Sequence, residues 1–102
     1  MKQIKELAKN IKEELHDAEK YADLALEYKD SDRQLADVYY ALAKQEVEHG
    51  NIEHEQVVRL IRDTRAKGVE PPPAMLAVWD WEHGQIIDEQ KEIALMLDMY
   101  KK

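Results

Sequence analysis

The sequence predicts an all-α protein, and three observations carry that prediction. Glycine and proline number three each and phenylalanine is absent, so most turn and strand signals are missing. Ala, Leu, Glu, Lys and Gln fill half of the chain, the residues that lose least on entering a helix. Apolar residues also recur at alternating spacings of three and four, the period of a helix with one buried face. At 102 residues the chain suffices for one core and not two, so residues 1–102 are expected to form a single helical domain.

The first helix is expected from Lys2 to Tyr28 on the seam Ile4, Leu7, Ile11, Glu14, Ala18, Tyr21, Ala25 and Tyr28. Glu14 alone interrupts its apolar character. "KDSD" then supplies a turn in which Ser31 or Asp32 can accept hydrogen bonds from the first free amides of the next helix. That helix runs to "AKG", where Gly68 suits a left-handed C-terminal position. Its seam reads Leu35, Tyr39, Leu42, Glu46, His49, Glu53, Gln56 and Leu60, with four successive polar positions. "GVEPPP" cannot continue a helix, but its last proline can begin one, so a third helix is expected from Pro73 or Ala74 to Tyr100. Its seam is Leu76, Trp79, His83, Ile86, Gln90, Ile93, Leu97 and Tyr100. Both turns are short, which predicts an antiparallel hairpin plus a third long helix.

Charge and composition exclude several function classes. With 22 acidic against 15 basic residues the net charge is -7, and a nucleic acid would meet a field of its own sign. No stretch approaches the ~18 consecutive apolar residues of a membrane span, and the chain reads as soluble and cytoplasmic. The lack of cysteine removes disulfides, thiolate metal sites and thiol nucleophiles. Histidine and carboxylate remain as the strong metal ligands, which favours hard or borderline ions.

The polar stretch of the second helix is therefore the feature to explain. Carboxylates on a core stripe need a cation, a proton or water to offset a desolvation cost of several kcal/mol each. A wet seam, a titrating pair or a face turned to solvent are the alternatives to a metal. Apolar residues bound the stretch on both sides, and Glu46 and His49 sit three apart, neighbours on one helix face. The hairpin register adds a third ligand. Counted from Asp30, Glu14 lies 16 residues before the turn and Glu46 lies 16 after, so at ~1.5 Å per residue both carboxylates reach the same height. A local echo, "EHGNIEHEQ" from Glu48 and "EHGQIIDEQ" from Glu82, matches at six of nine positions, with Asp80 preceding His83 as Glu46 precedes His49.

A glutamate on one helix with Glu-x-x-His on its antiparallel partner resembles half the ligand set of ferritin-like di-iron carboxylate bundles. "QEVEH", from Gln45 to His49, is similar to the second-helix ligand segment of rubrerythrins, and Glu14 followed by Tyr21 resembles the first-helix glutamate and tyrosine of ferritins and rubrerythrins. The likeness covers about residues 8 to 62. It implies that Glu14 and Glu46 bind or bridge iron, with manganese or zinc as alternatives, that His49 supplies a nitrogen ligand, and that Tyr21 is a nearby hydrogen-bond partner.

The chain departs from that family in having a short proline turn and one further helix where a long crossover and a second ligand pair belong. Encapsulated ferritins complete the site between two subunits, so the resemblance implies a homodimer holding two copies of Glu14, Glu46 and His49. No cargo-targeting tail follows "MYKK", so encapsulation itself is not implied.

Packed antiparallel on the second helix, the third would bring Glu89 or Gln90 level with His49 and His83 nearer Gln56. His83 then reads as a packed histidine before a ligand, and Glu53 as either a ligand or a neighbouring entry carboxylate. Trp79 and Trp81 read as packing residues, Met75, Met96 and Met99 as core or interface residues, and His16 and His54 as exposed. The resemblance implies a non-haem di-iron protein reacting Fe(II) with oxygen or peroxide. The rivals are a helical interaction protein with a buried polar network and a structural metal-binding bundle.

Overall fold

The computed structural model describes residues 2–102 and is all-helical. Helix α1 spans Lys2–Tyr28, α2 spans Arg33–Ala66 and α3 spans Pro73–Lys101. Together they form a rod of 56 × 19 × 18 Å. None of the helices is long and apolar enough to cross a membrane.

Local chemistry sets the helix ends. Asp32, not Ser31, is the N-cap of α2, its carboxylate accepting from the Leu35 amide at 3.1 Å. At the other end Val69 N–H donates to Thr64 C=O at 3.2 Å and Gly68 N–H to Arg65 C=O at 2.9 Å. That paired closure turns on Gly68 at φ 78°, where a side chain would be strained. Pro73 opens α3, its fixed φ suited to a first helical position.

Helix α1 is the middle of the bundle. It packs antiparallel against α2 along its whole length and parallel to α3, whereas the α2 and α3 backbones approach each other sparingly. The main core joins Ile4, Ala8, Ile11 and Leu15 of α1 to Trp79, Ile86 and Ile93 of α3, with Val57 contributed by α2. A second cluster near the first turn gathers Ala25, Ala36 and Tyr100 under the rings of Tyr28, Tyr39 and Tyr40.

The innermost line of α2 is displaced from the expected seam. Its buried residues are Ala36, Ala43, Gly50 and Val57, a strict seven-residue repeat lying one position past Leu35, Leu42, His49 and Gln56. Small side chains on that line let α1 sit close, and the larger seam residues flank the contact instead of filling it. No polar or charged side chain is fully buried among the described residues, so the polar stripe borders solvent in the single chain. Trp81 does not pack in the core: it is 63% exposed on the outer face of α3, where Met99 is 57% exposed.

Candidate metal centre

Glu14 reaches the site from α1, and Glu46 and His49 reach it from α2. His49 Nδ1 lies 3.6 Å from Glu14 Oε2 and 3.9 Å from Glu46 Oε1. One ligand atom from each of the three falls within 4.8 Å of the others. Donors at ~2.1 Å from a common ion stand at most ~4.2 Å apart, so the set needs to close by about half an ångström. The side chains have room to do so, with Glu14 28%, Glu46 20% and His49 54% exposed. Two hard oxygens and one borderline nitrogen fit iron, manganese or zinc.

Glu46 is pushed up to about 7, first by its hydrogen bond with Glu14, then by burial and by the Glu14 charge, with His49 opposing. Two carboxylates this close favour a proton on one of them, which is the direction of the Glu46 shift. Glu53 is raised as well, by burial and by Glu14, against a hydrogen bond from Asn10 and the charge of His49. It stands beside the cluster as a third carboxylate. Asn10 and Asp17, four before and three after Glu14 on the same face of α1, also act on the group.

The remaining sequence candidates lie elsewhere. Tyr21 stacks on Tyr39 with ring centroids 6.1 Å apart. Glu89 faces α1 on another side, its Oε1 3.6 Å from His16 Nδ1. Asp80 is exposed on α3. His83 pairs with His54, Nε2 to Nε2 at 3.0 Å, so His54 is half-buried against α3 and not free in solvent. The register of α3 is close to that expected, with Gln90 donating to Asn51 Oδ1 at 3.2 Å. His54 lies off the apolar seam of α2, which is why exposure was expected; three residues after Asn51, it shares the side of α2 that meets α3.

Helix α3 does not cover the cluster. On α1, Glu14 lies between Lys12 and His16, which pair with Glu82 and Glu89 of α3, and two residues along a helix is ~200° around it. On α2, Asn51 and His54 reach α3 while Glu46, His49 and Glu53 turn away from it. Glu14, Glu46 and His49 therefore sit in the open groove of the α1/α2 hairpin. No protein-family model, curated protein or solved structure matches this chain.

Proposed function

We propose that the chain is a metal-binding protein of the non-haem di-iron kind, with Glu14, Glu46 and His49 as ligands. Two copies meet across their open α1/α2 grooves in this reading. The observation that carries it is the convergence of those three side chains, from two helices, on a face that α3 leaves uncovered. A second copy would bring the set to four carboxylates and two histidines, the complement found in di-iron bundles. Bound iron would supply a redox centre able to react with oxygen or peroxide. The chain's own residues hold the ion, place Glu53 beside the entry, and exchange the Glu14–Glu46 proton for the cation. Fe(II) arrives as substrate if the activity is ferroxidation, and a surface of net charge -7 concentrates it.

Anaerobic loading with Fe(II), followed by iron analysis and oxygen uptake, tests the proposal. The expected result is about one iron per chain with oxygen consumed on aeration. Glu46→Ala should weaken loading by more than the ~10–100-fold that loss of an outer-shell partner costs a metal site. Normal loading in that variant overturns the ligand assignment. Tight zinc or manganese with no oxygen uptake makes the site structural.

One observation favours a second reading, a metal-free helical interaction protein. With Glu46 pushed up to about 7 by Glu14 and by burial, its carboxyl can stay neutral and the stripe persist without a cation below that pH. Failure of the wild type to retain any of the three metals selects that reading.

A further inference from the structure

The pair His54 and His83 lies on a different face of α2 from Glu46 and His49 and takes no part in the site above. Its rings are 21° from parallel with centroids 5.0 Å apart and Nε2 atoms 3.0 Å apart. The imidazoles therefore approach with their Nε2 edges foremost. The Trp79 ring, nearly buried, lies 5.3 Å from His83 and 6.0 Å from His54 and shields one side.

We propose that His54 and His83 form a second metal site, for a borderline divalent cation of the copper, nickel or zinc class, joining α2 to α3. Two nitrogens at ~2.0–2.1 Å from one ion and roughly at right angles to it stand about 2.9 Å apart, close to the separation seen. Both rings are half-buried, which leaves water able to complete the coordination. Burial and the neighbouring His83 lower the His54 pKa, favouring the neutral imidazole that a metal needs, against the opposing charge of Glu55. A metal here replaces the single proton of the N–H···N contact and ties together two helices whose backbones otherwise meet sparingly. Nitrogen-only donors separate this site from the oxygen-rich cluster, where iron is expected.

Trp79 reports on the site directly. In a Trp81→Phe background, which removes the exposed tryptophan, copper(II) sulfate should quench Trp79 fluorescence and saturate at stoichiometric copper. His54→Gln and His83→Gln should each abolish that quenching, and Glu46→Ala should leave it intact. On the otherwise unaltered chain, zinc chloride should raise the thermal midpoint and shift the Nε2 resonances of His54 and His83 in long-range 1H–15N spectra. Quenching that survives both histidine substitutions overturns the proposal, as does quenching lost in Glu46→Ala. Unmoved His54 and His83 resonances under saturating zinc overturn it without recourse to a variant. Because Glu46→Ala is silent here and decisive for iron loading, the two sites stand or fall separately.

Discussion

At the scale of single residues, the raised pKa of Glu46 ties stability to pH. Glu46 ionises near 7 in the folded chain against an ordinary 4.5. Between those values the folded state holds a proton that the unfolded state has released. The stabilisation is thus complete below the unfolded value and is lost as pH rises through about 7. Glu53, also raised, acts in the same direction, whereas the lowered His54 withdraws stability as pH falls below the ordinary histidine range. Chemical denaturation of the metal-free chain across this range should therefore show a Glu46-dependent decline towards alkaline pH. Glu46→Gln, which keeps a donor without the charge, should remove that component, worth up to about 3 kcal/mol. An unchanged pH profile in the variant would mean that the pair does not share a proton. On the proposed metal-binding reading the cation competes with the Glu46 proton, so metal affinity should rise with pH through about 7.

At the scale of elements, glycine separates two demands that look alike in sequence. A Cβ at Gly50 would lie 3.7 Å from Leu15 Cδ2 and 4.0 Å from Glu14 Cβ, ordinary contact distances. Gly50→Ala should then raise stability by about 0.5–1 kcal/mol, the cost of glycine inside a helix. Gly68→Ala should lower it by about 1 kcal/mol, because φ 78° is strained for any side chain. Thermal melts of the two variants should move in opposite directions; a fall in Gly50→Ala would show that α1 and α2 pack too tightly to admit a methyl group.

These same elements mark what could be read from the chain alone. The helix ends were legible because Asp32, Gly68 and Pro73 act on their own neighbours through caps and fixed dihedrals. The level placement of Glu14 and Glu46 was legible because a short turn transmits register with little slack. The rotation of α2 was not, since Ala36, Ala43 and Gly50 carry little hydrophobic signal and owe their burial to the close approach of α1. The pairing of His54 with His83 depends on where α3 lies in the groove, which no local pattern encodes.

At the scale of the whole molecule, the open groove is amphipathic in a way that fits a second copy. Leu7 and Tyr21 on α1, with Leu35, Leu42 and Leu60 on α2, share the face of Glu14 and Glu46 and are only partly buried. Apolar residues thus flank the acidic centre at both ends. Pairing through this face would bury that apolar area while bringing two acidic clusters together, on chains that each carry -7. The metal-free pair is expected to be weak, and cations at the shared site should strengthen it by binding the dimer in preference to the monomer. Sedimentation should show a 12.0 kDa species giving way to twice that mass as Fe(II) is added under anaerobic conditions. Leu42→Lys, on the same face but outside the ligand set, should hold the chain at the smaller mass and leave only weak iron binding. A wild-type chain that fills with iron while remaining a monomer would confine the site to one hairpin, with water or Glu53 completing it. Dimers that form equally well without metal and with Leu42→Lys would place the contact elsewhere, the outer stripe of α3 with Trp81 and Met99 being the next surface to test.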